Sequence, residues 1–251
     1  MITTSVPLEI KWEKLPEDYI LPDDPVDNIN QPLLAEALSE SLELAGRISE
    51  NVLTGTNYGI CATVNGKMVV KAPDWFYVPS IRVTRADIDR SYTPQLQGDI
   101  PAIVMEFLSE TEGTEYSTKP TYPPGKWFFY EQILRVPTYA IFNLAEGIFE
   151  VYRPDTSGRY REETPNRENR YWIPELSLFL GLWQGTRRNR EGNWLRWWDE
   201  NGTLLSWGSE LVQQERERAQ QERERAQQER ERADRFIAQL RAAGIEPNLE
   251  L

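Results

Sequence analysis

Residues 102–108, AIVMEFL, place a single carboxylate, Glu106, near the end of an otherwise apolar run. A continuous apolar run of this length reads as a strand buried on both faces. Leaving an unpaired charge in such a strand costs several kcal/mol. The fold must therefore bring a compensating group to Glu106.

The compensating group is not histidine, because the 251-residue chain has none. That absence removes Ser/His/Asp and Cys/His triads and histidine-ligated metal sites. Cys61 is the only cysteine, so no intrachain disulfide and no cysteine-based zinc cluster can form. Any catalysis must run on carboxylates, lysine, arginine, tyrosine, hydroxyls or a bound metal. A formal charge of −12 argues against general affinity for polyanions, and leaves a local basic cleft as the only route to one. No stretch approaches the roughly 20 apolar residues of a membrane span, and the N-terminus lacks a basic segment followed by an apolar one. The chain reads as soluble, unexported and cytoplasmic.

The first thirty residues, rich in Pro and Asp, read as an extended arm. Leu34, Leu38, Leu42 and Ala45 recur at helical spacing, which predicts an amphipathic helix over about 32–52 with Pro32 in its first turn. Two apolar runs around Asn65-Gly66 predict a β-hairpin, followed by a third extended piece ending near Pro79. TEGTEYSTKPTYPPG reads as a loop, KWFFYEQIL as a helix, TYAIFNL as a strand, and GIFEVYRPDTSGRYREE as a hairpin closed at Ser157-Gly158. Nine tryptophans, many in NWLRWWDENGTLLSW, suit strands that pack aromatic faces. The order predicts a mixed α/β protein around one sheet.

Residues 213–233 repeat QQERERA three times. Ala219, Ala226 and Ala233 are the only apolar position per heptad, too few for a firm two-stranded seam. Glu215 with Arg218, Glu222 with Arg225 and Glu229 with Arg232 offer ion pairs along a long solvated helix. Leu211, Phe236, Ile237 and Leu240 leave weak homodimerisation open, and Gly244 and Pro247 end the helix. Three parts follow: an arm over 1–30, a domain over 31–208 and a charged helix with its tail over 209–251.

Asp74 follows a strand-like run, and Glu106 lies in the next strand-forming segment. Two carboxylates converging at a sheet edge form a hard oxygen site for Mg²⁺ or Mn²⁺, and the ion would neutralise what burial makes costly. A nearby ammonium would orient a water and stabilise developing charge, with Lys71, Lys119 and Lys126 all available. Glu36, Glu40 and Glu43 of the first helix either add an acid or form its wet face. Arg187, Arg188 and Arg190, among tryptophans and close acidic neighbours, either contact nucleic acid or balance charge within a surface hairpin.

Pro73-Asp74, then IVMEFLS with Glu106, then KWFFYEQILRVPTYAIF resembles the Uma-type restriction endonuclease family, a branch of the PD-(D/E)XK nuclease superfamily. The resemblance spans roughly residues 30–155. It implies a restriction-endonuclease-like mixed central sheet flanked by helices, with extra hairpins and a long charged C-terminal helix. It also implies Asp74 and Glu106 as ligands of Mg²⁺ or Mn²⁺, Lys126 as catalytic lysine, Lys119 as the reserve, and DNA as substrate; on the first helix, Glu40 stands as the possible accessory acid. One departure matters: two residues after Glu106 stands Leu108, where the superfamily pattern has lysine, so Lys126 must reach the site from the following helix. Two other readings fit the same residues. One is an inactive nuclease-like module that assembles through its C-terminal helix, the other a small-molecule phosphodiesterase.

Overall fold

The computed structural model describes residues 8–14, 16, 30–108 and 113–244. Apart from residues 8–14 and 16, the expected arm lies outside the described residues, as do Ser109 and the end of the tail with Pro247. The chain divides into two compact units, Met1–Leu205 and Ser206–Leu251.

The first unit is a mixed α/β fold with three sheets where one was expected. Its six-stranded central sheet runs in the order β2-β5-β6-β7-β8-β9, made of Leu53–Gly55 (β2), Trp75–Val78 (β5), Ile103–Leu108 (β6), Tyr139–Asn143 (β7), Ile148–Pro154 (β8) and Tyr160–Glu162 (β9). Only β6 and β7 are parallel; their neighbours pair antiparallel. Ile10–Lys11 (β1), Ile60–Val64 (β3) and Lys67–Lys71 (β4) form a separate three-stranded sheet, so the arm contributes a strand. Arg170–Ile173 (β10), Leu178–Arg187 (β11) and Arg190–Trp198 (β12) form the third sheet.

Turn chemistry explains the hairpin between β3 and β4. Asn65 and Gly66 both take positive φ, 50° and 73°, as a two-residue turn between right-twisted strands requires. A similar device shortens the first helix. Helix α1 covers Asn30–Leu44 and stops well before residue 52. Gly46 adopts φ 68°, its N–H bonds the Glu43 carbonyl at 2.9 Å, and the Arg47 N–H bonds the Leu42 carbonyl at 2.8 Å. This is a Schellman stop, which glycine permits at no steric cost.

Helix α2, Lys126–Phe128, continues as one wider π-helical stretch over Phe129–Leu134. The two helices take opposite faces of the central sheet, as strand alternation dictates. Trp75 and its partner Met105 face α1, where the Trp75 indole N–H bonds Ser39 Oγ at 2.9 Å. Phe76 and Val104 face the other way, into a core shared with Phe129, Tyr130 and Ile133. Glu106, two residues beyond Val104, points toward α2.

The hairpin of β11 and β12 grips the far side of α1. The indole N–H of fully buried Trp197 bonds the Leu38 carbonyl at 3.2 Å, and the ring packs 6.0 Å from Trp75. Arg187, 5 % exposed, pairs with Glu40 at 2.8 Å; Arg188 pairs with Glu36 at 2.5 Å; Arg190 bonds Asn30 Oδ1 at 2.6 Å. Glu36 and Glu40 stand one turn apart on α1, so the hairpin reads one helix face with successive arginines.

In the second unit, helix α3 covers Gly208–Ala242. Its heptads are laced differently from expectation. In place of ion pairs between Glu215 and Arg218 and their repeats, Gln213, Gln220 and Gln227 donate to Glu217, Glu224 and Glu231 at 2.7, 2.7 and 3.1 Å. The four-residue spacing aligns these partners along one turn of helix. Among the described residues no helix is long and apolar enough to cross a membrane.

The hairpin grip sets up a contrast between two neighbouring arginines. Arg187→Ala removes a charge-assisted bond in a buried place and should lower unfolding free energy by about 1.5–3 kcal/mol. Arg188→Ala removes an exposed pair and should cost under about 1 kcal/mol. Urea denaturation of the two variants measures both, and equal losses would refute the assignment of Arg187 as the structural member.

Candidate active site

Where β5 gives out, β6 runs on, and the resulting gap holds the site. Trp75 pairs with Met105, so Asp74, one step before β5, lies opposite Glu106. Phe107 turns both its N–H and its carbonyl toward the side β5 has left, since the two groups of one strand residue point the same way. The Asp74 carboxylate accepts the Phe107 N–H at 2.6 Å, and Gln31 Nε2 of α1 donates to the Phe107 carbonyl at 2.7 Å. Two side chains thus replace the missing strand and fix Asp74 beside Glu106.

Glu106 is fully buried, and α2 supplies the compensation its burial demands. Lys126 Nζ lies 3.1 Å from Glu106 Oε2, and the Tyr130 hydroxyl donates to Oε1 at 2.9 Å. Lys126 and Tyr130 are four residues apart, so both fall on one face of the helical segment and hold both oxygens of one carboxylate. The departure at Leu108 is thereby made good geometrically, since the lysine beside Glu106 comes from α2.

A third acid, Glu115, joins them. Its Oε1 lies 3.3 Å from Lys126 Nζ and accepts the Thr114 hydroxyl at 3.0 Å, while the Tyr139 hydroxyl bonds its backbone carbonyl at 3.0 Å. Its Oε2 is buried without a hydrogen-bond partner. In the sequence, TEGTEYSTKP looks like a solvated loop, and only close packing of that loop on α2 buries Glu115. Gly125 makes the packing possible: a Cβ there would meet the Ser117 carbonyl oxygen at 2.0 Å.

The other candidates lie elsewhere. Lys119 is exposed, and its backbone carbonyl accepts the Gly125 N–H at 2.9 Å. Glu40 is bound to Arg187, and Arg187, Arg188 and Arg190 each bond a side chain of α1, away from the Asp74–Glu106–Lys126 cluster. Glu131, also buried, is structural too: its carboxylate accepts the Tyr160 N–H at 2.6 Å and pairs with Arg159 at 2.9 Å, tying α2 to β9.

Three acids around one ammonium shift every protonation equilibrium in the cluster. Glu106 is raised to about 8 on balance: burial pushes it up most, Lys126 pulls it down, and the Asp74 and Glu115 charges push it up further. Burial also raises Asp74, a rise only partly offset by the Phe107 N–H and Lys126. Burial alone would lower Lys126, yet Glu106, Glu115 and Asp74 together hold it above the ordinary lysine range, so it remains an ammonium. Tyr130 is raised well above the ordinary phenol range by burial and then by Glu106, and so stays a donor.

The donor set fits a hard divalent cation. Mg²⁺ is typically held by one or two carboxylates, with water and substrate phosphate completing its shell. Asp74 and Glu106 offer such a pair, a cation there would offset the burial that raises both, and the unpartnered Glu115 oxygen adds to the local negative field. Among the described residues no group of three or more acidic or sulfur ligands is arranged to enclose an ion unaided.

A mixed sheet flanked by helices, with two carboxylates at adjoining strand ends and a lysine from the next helix, defines a class of protein by architecture and site together. Residues 31–188 match the family model Uma2, described as "Putative restriction endonuclease", and the chain belongs to this family. A crystal structure described as a "putative nuclease belonging to DUF820", from Anabaena variabilis, is similar at 12% identity, with a TM-score of 0.37, over 64% of this chain and 80% of that one. No curated protein matches.

Two outcomes test the geometry. Glu106 has a raised pKa in the fold, so its burial destabilises the metal-free protein progressively as pH rises from the unfolded value near 4.5 toward 8, and not below. In EDTA, Glu106→Gln should therefore gain stability relative to the unsubstituted protein between about pH 5 and pH 8, with no further gain above; a stability difference that does not vary with pH refutes the burial account. Gly125→Ala should force Ser117 and the Glu115 loop off α2, costing about 1–3 kcal/mol in thermal or urea unfolding.

Proposed function

We propose that this protein is a divalent-metal-dependent endonuclease hydrolysing DNA phosphodiester bonds, with Mg²⁺ or Mn²⁺ as its ion. The observation that carries the reading is the convergence of Asp74, Glu106 and Lys126 from three separate segments, within a chain of a family described as restriction endonucleases. Asp74 and Glu106 hold the ion. When bound, it polarises a phosphate oxygen and lowers the pKa of a coordinated water. Tyr130 and the Phe107 N–H fix the carboxylates, so that little reorganisation is needed as charge builds on the phosphate. Lys126 directs its ammonium at the attacking water and at the developing charge. Glu115, whose Oε1 lies 3.3 Å from Lys126 Nζ, would keep that ammonium in place if Glu106 shared its charge with the ion; Glu115 is a positioning residue for Lys126.

A second reading gives α3 the leading part, as an arm through which copies of the chain assemble into a homodimer. Its support is the exposed Leu211, Val212 and Phe236 at the ends of the heptad run. Loss of oligomers on deleting residues 209–243, in a protein inert toward DNA with any metal, would favour it.

Incubation with supercoiled plasmid and single-stranded DNA, in Mg²⁺, Mn²⁺ or EDTA, tests the first reading. Cleavage should require metal and fall by about 10²-fold or more in Asp74→Ala, Glu106→Ala and Lys126→Ala. Glu115→Gln should lower it by about 10–100-fold while leaving Mn²⁺ affinity nearly unchanged. A folded wild-type protein that binds no metal and cuts no substrate refutes the reading.

A further inference from the structure

Beside the carboxylate–lysine cluster lies a cavity of about 230 Å³, lined by Leu108, Tyr116, Ile141, Ile148, Glu146 and Glu150 among others. Glu106 pairs with Ile141 across β6 and β7, and Ile141 pairs with Glu150 across β7 and β8. All three residues therefore share one row and one face of the sheet, with Glu150 about 10 Å from Glu106 across two strand spacings. Leu108 and Ile148 continue that face toward the carboxyl end of the parallel pair. Tyr116 closes one side, 40 % exposed and stacked 6.2 Å from Trp127, the residue after Lys126. The Tyr116 and Tyr152 hydroxyls both donate to Oε2 of Glu150, which holds that carboxylate rigid.

An apolar floor, an aromatic wall and carboxylates at the rim repel phosphate and suit a flat ring that carries hydrogen-bond donors. Resting on the nuclease reading above, we propose that this cavity is a nucleobase subsite. It receives an unpaired base beside the scissile phosphate, and Glu150 accepts a hydrogen bond from its exocyclic amino group. A paired base presents neither face nor edge to such a pocket, so the substrate is single-stranded or locally unstacked DNA. Adenine and cytosine carry the amino group on the edge that pairs in a duplex, and thymine lacks it.

Binding is measured by fluorescence anisotropy in EDTA, with single-stranded oligonucleotides differing at one central position: dC, dA, dT or abasic. The dC and dA strands should bind about tenfold tighter than dT, the discrimination expected of one good base contact. Glu150→Leu, which removes the acceptor, should abolish the preference for dC over dT, and Tyr116→Leu should weaken all base-bearing strands toward the abasic value, with both variants checked for folding by circular dichroism. In Mg²⁺, cuts should fall at a fixed offset from the amino-bearing base. Equal affinity for all four strands, no binding at all, or a dC preference that survives in Glu150→Leu overturns the subsite. Base discrimination in EDTA without cleavage in any metal would instead sink hydrolysis and leave the subsite standing.

Discussion

The burial of Glu106 is the constraint on which the rest of the site depends. A carboxylate with no exposed surface, in the middle strand of a mixed sheet, is tolerable only if its oxygens are bonded and its charge is met. Tyr130 and Lys126 do both, and they can do so only if α2 lies across that face with its first turn over the end of β6. That placement needs Gly125 against Ser117, which in turn brings Glu115 in from the loop. One buried charge thereby fixes a helix, a glycine and a second acid.

Much of this was legible where the signal is local. Asn65-Gly66 specifies its turn through backbone conformation alone, and the spacing of Lys126 and Tyr130 determines that they share a helix face whatever that face meets. Leu34, Leu38 and Leu42 mark the buried side of α1, although Gly46 ends that helix earlier than an apolar count implies. What the sequence hid is non-local. Glu115 sits among Thr, Gly and Ser as a solvated residue would, and no neighbour in the chain announces that a glycine ten residues on will bury it. Likewise Arg187, Arg188 and Arg190 form a basic run whose counter-charges, Glu36 and Glu40, lie some 150 residues away, invisible until α1 meets the third sheet. The single expected sheet became three because strand order along a chain does not fix which strands share an edge.

Those arginines bear on how an acidic chain could handle DNA. With Arg187 and Arg188 neutralised within the fold, sequence-blind attraction to a duplex has little to draw on. On the nuclease reading proposed above, affinity would then come from contacts at the site itself, through a bound cation, the Lys126 ammonium and the faces and edges of bases. Such a protein would gain more from a base held in a pocket than from a phosphate held on a basic track.

The loop that hides Glu115 gives this a mechanical form. Glu115 and Tyr116 are adjacent and point to different tasks: one carboxylate oxygen meets Lys126, while the neighbouring hydroxyl meets Glu150 at the cavity wall. On the proposed readings, a base stacked on Tyr116 would press on the segment that holds Lys126, so recognition and chemistry would share one stretch of backbone, anchored by the burial of Glu106.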